Sequence, residues 1–185
     1  MEYPKIETVF ERDEKTHRVF PDKLRNPVYG VIKSWQFTEK IDGTNIRCAW
    51  NGEKLVFGGR TDNAAIPAKL MQWLIENVRT EKFQEVFEKS PAILYGEGYG
   101  AGIQKGGGSY NKEQQFILFD VLVDGKWWLS RENTNDVAKR FTLRTVPFIG
   151  EMSLEDGVQI VRAGFDSILA KEITGETFRA EGVVG

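Results

Sequence analysis

One histidine, His17, and one cysteine, Cys48, are all that this chain of 185 residues holds of the two most versatile catalytic and metal-binding side chains. With one of each, a zinc site, a Ser-His-Asp triad and a Cys-His nucleophile pair are nearly excluded. No internal disulfide can form, so the cytosol is the expected compartment. No apolar run approaches the roughly 18–20 residues that a membrane span needs. The start, Met1-Glu2-Tyr3-Pro4-Lys5, lacks the apolar core of a signal peptide. Charge of one sign is also scarce. The net charge is −2, which gives no global electrostatic case for nucleic-acid binding. The glycines at 96, 98, 100, 102, 106, 107 and 108 spell neither a P-loop nor the Rossmann fingerprint. Catalysis by this chain must therefore use Lys, Arg, Asp, Glu, a bound metal or the backbone.

What is present is an ordinary globular balance, 41% hydrophobic and 28% charged, over a length that fits one domain with a real core. Residues 1–27 are charged and irregular, punctuated by Pro4, Pro21 and Pro27. Val28 to Thr38 reads as a strand that delivers Lys40 at its end. Asn45 to Trp50 alternates as a second strand, and Asn51-Gly52 predicts a two-residue hairpin turn into Lys54 to Gly58. Pro67 opens a helix whose Met71, Leu74, Ile75 and Val78 fall on one face, and a second helix carries Phe83, Val86 and Phe87. Ala92 to Tyr95 is an apolar strand running into Gly96-Glu97-Gly98. Phe116 to Val123 is another, turned back by Asp124-Gly125 into Trp127-Trp128-Leu129. Arg131 to Phe141 suits a helix, and Ser153 caps one whose buried stripe is Leu154, Val158 and Val161. Ala180 to Gly185 reads as a strand entering the core. Strands dominate, so the expected class is α+β with mostly antiparallel sheets and flanking helices.

The segment Glu39-Lys40-Ile41-Asp42-Gly43-Thr44-Asn45 carries the most chemistry. A lysine held at a strand end, before a turn, reads either as a nucleophile or as a surface lysine beside a hairpin. As a nucleophile it must first lose a proton, which burial or nearby cations favour. Gly59-Arg60-Thr61 can bring a cation near a phosphate. Gly96-Glu97-Gly98 sets an acid where backbone can approach a ligand closely. In Phe116-Ile117-Leu118-Phe119-Asp120, Phe116 and Leu118 share one face while Phe119 shares the other with Ile117, where an aromatic can stack on a base. Glu181 stands just before the last apolar residues. Tyr99, Lys105 and Tyr110 read equally as nucleic-acid contacts or as loop packing.

Glu39-Lys40-Ile41-Asp42-Gly43, Gly59-Arg60-Thr61, Tyr95-Gly96-Glu97-Gly98-Tyr99-Gly100, Phe116-Ile117-Leu118-Phe119-Asp120 and Glu181-Gly182-Val183-Val184 together resemble the ordered motifs of the covalent nucleotidyltransferases: ATP-dependent DNA ligases, RNA ligases and mRNA capping enzymes. The resemblance runs from about residue 35 to the last residue. It is closest to the RNA ligases of the phage and RNA-editing type, since Asn45 stands where DNA ligases and capping enzymes usually have arginine.

The resemblance implies an ATP-grasp-like ligase adenylation domain over residues 1–185, working as a monomer with ATP and Mg²⁺ or Mn²⁺. Lys40 would attack the α-phosphate of ATP, release pyrophosphate and form lysyl-AMP. Glu39 would contact the adenine amino group through its side chain or backbone. Asn45 and Arg60 would bind near the phosphate and the strand end. Glu97 would hold a ribose hydroxyl, Phe119 would stack on adenine, and Glu181 would assist a divalent metal. AMP would pass to a 5′-phosphate end of RNA, or of DNA, and a 3′-hydroxyl would displace it. The family's later Lys-x-Lys motif does not occur in the sequence, so the resemblance implies an adenylation domain cut short. A DNA ligase, a capping enzyme and a non-catalytic module that binds nucleotide or nucleic-acid ends are the alternatives.

Overall fold

The computed structural model describes residues 1–185. Eleven strands and six helices follow one another along the chain. The first are β1 (Phe10–Arg12), β2 (Val19–Leu24), β3 (Trp35–Lys40), β4 (Thr44–Trp50) and β5 (Leu55–Gly58). Next come α1 (Ala68–Asn77), α2 (Thr80–Phe87), β6 (Ala92–Tyr99), α3 (Gly107–Tyr110), β7 (Gln115–Val123) and β8 (Trp127–Trp128). The rest are α4 (Arg131–Phe141), β9 (Arg144–Thr145), β10 (Phe148–Met152), α5 (Leu154–Ala163), α6 (Ile168–Thr174) and β11 (Gly182–Val184). Two sheets matter for the site. The larger has the order β5-β4-β6-β7-β8, antiparallel throughout, with β9 added parallel to β7. The smaller has the order β10-β3-β11, also antiparallel. The class is therefore α+β with antiparallel sheets.

Alternation sorts each strand of the large sheet between two faces. Ile46, Cys48 and Trp50 of β4, Leu94 of β6 and Phe116 and Leu118 of β7 face a core closed by α1, α2 and α4. Asn45, Glu97 and Ile117 point the other way. One irregularity changes the pattern. Tyr95 pairs with Asp120 while Gly96 pairs with Leu118, so Phe119 is an extra residue, a β-bulge. The bulge resets the alternation: Val121 joins the first core, and Phe119 and Asp120 both open onto the opposite face. A second, smaller core of Ile41, Tyr99, Tyr110, Ile117, Val146 and Leu169 ties the large sheet to α3 and α6.

Several sequence expectations need correction. Val28 to Thr38 is not one strand: Pro27–Gly30 is a 3-10 turn capped by the Asn26 side chain, and β3 begins only at Trp35. Val28 and Val31 are exposed, so their β-branching had no packing to reward it. The hairpin after β4 turns one residue late. Asn51 hydrogen-bonds across to Lys54, its side chain accepts from the backbone N–H of Glu53 and Lys54, and Gly52 takes φ +97°. On α1 the buried stripe is Leu70 and Leu74, continued by Val78 at the C-cap, while Ile75 is exposed. On α5 the buried position is Gly157, against the Phe37 ring, and Val161 is exposed. β11 is the half-buried edge of the small sheet rather than a core strand. Tyr99 and Tyr110 are fully buried and make packing contacts, which leaves neither free for nucleic acid. By contrast, α4 spans the residues expected of it, and Ser153 caps α5 as its hydroxyl predicts.

Candidate active site

Where β3 of the small sheet hands over to β4 of the large one, the two sheets enclose a cavity of about 660 Å³. Glu39, Lys40, Asn45, Arg60, Glu97 and Phe119 all line it. Residues drawn from four separate stretches of sequence thus share one site. Glu181 reaches it through Lys40, since the two side chains form an ion pair.

The local reasons are visible residue by residue. β3 ends at Lys40, leaving its side chain half-exposed at the cavity mouth. Glu97 reaches the cavity because its neighbours Gly96 and Gly98 face the core. A Cβ on Gly96 would stand 2.4 Å from the Phe116 ring, and one on Gly98 would stand 2.3 Å from Leu70. The two glycines let the core close under the strand while the acid between them stays on the open face. Asn45 is its direct cross-strand partner. The Asn45 side-chain oxygen is buried and has no hydrogen-bond partner, an acceptor left free beside the cavity. Arg60 is exposed at the rim after β5.

Burial pushes the Glu97 carboxyl up to about 8; Lys40 pulls it down, and Glu181 and Asp42 push it further up. The group is therefore largely protonated at neutral pH when the cavity is empty, and able to donate as well as accept a hydrogen bond. Asp120 is also raised by burial, against the opposing effect of a hydrogen bond from the Tyr3 hydroxyl.

Glu39 differs from the expectation for its side chain. Its carboxylate is 1% exposed and accepts hydrogen bonds from the Ser167 hydroxyl and from the backbone N–H groups of Ile168 (2.9 Å) and Leu169 (3.1 Å). It thus caps the N-terminus of α6, a position where an anion satisfies otherwise unpaired donors. Its backbone N–H donates to the Pro147 carbonyl at 2.9 Å, so only the backbone carbonyl remains for a ligand in the cavity.

Other residues lining the cavity carried no role in the sequence reading: Tyr3, Asp120, Arg131, Thr134 and Asn135 among them. Asp120 was within reach of sequence reasoning only through the bulge, which strict alternation conceals. Arg131, Thr134 and Asn135 come from the first two turns of α4, and no local pattern marks them as facing a ligand. Nothing in the sequence signals Tyr3.

No group of three or more His, Cys, Asp or Glu side chains gathers to hold a metal alone. Mg²⁺ is usually bound by one or two carboxylates together with substrate phosphates. Glu181, partly exposed beside Lys40, suits such a shared site.

A profile of the family described as RNA ligase matches residues 33–185, the span that contains every one of these motif residues. The chain belongs to the RNA ligase family. With it comes the covalent nucleotidyltransferase superfamily. Solved structures agree on the fold. A Naegleria gruberi RNA ligase mutant with ATP and Mn superposes with a TM-score of 0.69 at 20% identity, over 98% of this chain and 53% of that one. Another mutant of the same ligase with ATP and Mn gives 0.68 at 23% identity, over 85% and 48%. A mutant with AMP and Mn gives 0.64 at 23% identity, over 82% and 45%. This RNA ligase family chain spans about half the length of those structures. No curated protein sequence matches it significantly. No helix in it is long and apolar enough to cross a membrane.

Proposed function

We propose that this chain is an adenylation domain that forms lysyl-AMP on Lys40 and passes the nucleotide to a 5′-phosphate on RNA. The observation that carries the proposal is the convergence of Lys40, Asn45, Arg60, Glu97 and Phe119 on one cavity, with Glu181 paired to Lys40. Such a set offers a nucleophile, a cation for phosphate, an acid for ribose and an aromatic face for a base. The Naegleria structures with ATP or AMP and Mn are in keeping with this choice of nucleotide and ion.

The chemistry follows from these groups. Lys40 must first give up its ammonium proton. Its Nζ then forms a bond to the α-phosphorus and releases a second proton to solvent as the bond to the bridging oxygen breaks, and pyrophosphate leaves with that oxygen. In the second step an oxygen of the 5′-phosphate attacks the same phosphorus, the P–N bond breaks and Lys40 recovers a proton. A 3′-hydroxyl then displaces AMP. These are in-line transfers in which the protein's share is positioning and charge neutralisation. Asn45 and Arg60 steady the phosphates at the rim. Glu97, protonated in the empty site, meets a ribose hydroxyl. Phe119 gives the base a face, and the Glu39 backbone carbonyl offers the base edge an acceptor. A divalent cation held by Glu181 and the phosphates would add positive charge at the reacting phosphorus.

The test is incubation with α-labelled ATP and Mg²⁺ or Mn²⁺, followed by denaturing electrophoresis. Label should stay on the protein and vanish in Lys40→Ala. Label retained without Lys40 overturns the mechanism. Binding of ATP with no covalent label in any metal would instead mark a binding module.

A further inference from the structure

The segment Met1–Ile6 lies outside the span that matches the RNA ligase family, yet it forms part of the nucleotide cavity. Tyr3, Pro4, Lys5 and Ile6 line the same space as Lys40, Glu97 and Phe119. Tyr3 is the anchor. Its ring meets Phe119 edge-on at 4.9 Å between centroids, lies tilted to Tyr95 at 5.1 Å and meets Trp128 edge-on at 5.8 Å. Its hydroxyl donates to the Asp120 carboxylate. The segment is pinned once more where the Tyr95 hydroxyl donates to the Met1 carbonyl at 2.9 Å.

What Tyr3 touches is the weak point of the sheet. Phe119 is the bulged residue of β7 and has no partner in the β6 register, so the ladder does not fix it as it fixes Tyr95 and Asp120. A ring that must stay planar to a base needs another source of rigidity. Tyr3 supplies it from both sides of the bulge, packing on Phe119 and holding Asp120 by its hydroxyl. Aromatic pairs of this geometry have a definite preferred arrangement and do not merely fill space.

We propose that Tyr3 is a positioning residue for the base end of the nucleotide site: the N-terminal segment walls that end of the cavity and holds Phe119 ready to stack. The proposal rests on the nucleotide reading given above. It implies that loss of the Tyr3 ring weakens recognition of the base while leaving the phosphate end alone. The hydroxyl matters less than the ring, since Asp120 keeps its ladder position without it.

The experiment measures equilibrium binding of ATP and of inorganic tripolyphosphate, which has no base, by competition against a fluorescent ATP analogue. Wild type, Tyr3→Ala and Tyr3→Phe are compared, with circular dichroism checking each fold. Tyr3→Ala should bind ATP about 5- to 10-fold more weakly, the size of one aromatic packing contact. Its affinity for tripolyphosphate should be unchanged. Tyr3→Phe should bind ATP within about twofold of wild type, as expected when a ring is kept and one hydrogen bond is lost. Unchanged ATP affinity in Tyr3→Ala overturns the proposal. So does an equal loss for both ligands, which would mean general loosening. Tighter ATP binding, which would make the segment a plug, overturns it as well, and an equal loss in Tyr3→Phe overturns the role of the ring. A wild-type protein that binds tripolyphosphate but not ATP refutes the nucleotide reading itself, and Tyr3 falls with it.

Discussion

Lys40 and Glu181 form an ion pair across 141 positions of sequence because β3 and β11 are antiparallel neighbours with Lys40 opposite Gly182. The small sheet therefore does more than carry the lysine. It brings the last acidic residue of the chain onto Lys40. The pair sits at the mouth of the cavity, 49% exposed on the lysine side and 37% on the glutamate side. An ion pair so exposed contributes little to folding. Under the proposed function, its place at the cavity mouth serves the nucleotide instead.

Substituting Glu181→Gln separates those two possibilities. Covalent adenylate formation should fall by about 100-fold, the usual scale for loss of a charge aimed at a reacting phosphate or its metal. Stability should change by less than about 1 kcal/mol. Rates of label incorporation at saturating ATP and a urea titration give both values. An unchanged rate would remove Glu181 from the site.

Glu39 predicts the opposite pattern. Its buried carboxylate holds the Ser167 hydroxyl and two N–H groups of α6. Glu39→Ala would leave those donors unpaired in the interior. The loss should be about 2–4 kcal/mol, combining a lost cap with lost hydrogen bonds to a charge. Glu39→Gln, which keeps acceptor capacity, should lose less. Urea midpoints for the two variants measure the difference, and near wild-type stability of Glu39→Ala would mean the cap is idle.

The same residue shows where sequence reading stops. Four of the five motif blocks place a candidate side chain on the cavity, and the fifth brings Glu181 onto Lys40 beside it. What they do not reveal is which partner takes each side chain. α6 begins more than a hundred residues after Glu39, and no local pattern links Ser167 to it. The fold class was readable from alternation and turn residues, as β4 and α4 illustrate. It failed where packing decided the matter. Val28 and Val31 have strand-forming side chains but no neighbour to bury them, and Gly157 is buried only because the Phe37 ring needs the space. The bulge at Phe119 is invisible for the same reason: it exists in the pairing with β6, not in the residues of β7.

Glu97 makes the stability of the empty protein depend on pH. Its folded pKa of about 8 lies above its ordinary 4.5. Below about pH 4.5 it is neutral folded or unfolded and contributes no pH-dependent difference. Between the two values the unfolded chain gives up the proton while the folded protein keeps it, so stability falls as pH rises. Above about pH 8 the loss is complete. Glu97→Gln removes this cost. The variant should match wild type near pH 4 and exceed it near pH 9 by an amount on the order of a few kcal/mol. Denaturation at the two pH values checks the sign; a wild type that gains on the variant as pH rises would contradict it.

Two glycines of the motifs look alike in sequence and differ in what they permit. Gly43 follows Lys40-Ile41-Asp42 at the turn between the two sheets. A Cβ there would lie 2.2 Å from the Gly98 carbonyl oxygen and 2.8 Å from the Glu97 side chain. A backbone carbonyl in a paired strand cannot swing aside, so Gly43→Ala must push β6 away from the turn that carries Lys40. It should cost about 1–3 kcal/mol in stability. It should also slow adenylate formation about tenfold or more, because Lys40 and Glu97 lose their spacing. Gly182 stands opposite Lys40, but a Cβ there meets nothing within 4 Å. Gly182→Ala should stay within about 0.5 kcal/mol of wild type. Thermal melts of both variants, run beside the label-incorporation assay, decide the matter. Equal stability losses at the two positions would mean that the turn at Gly43 yields where the close approach to Gly98 says it cannot.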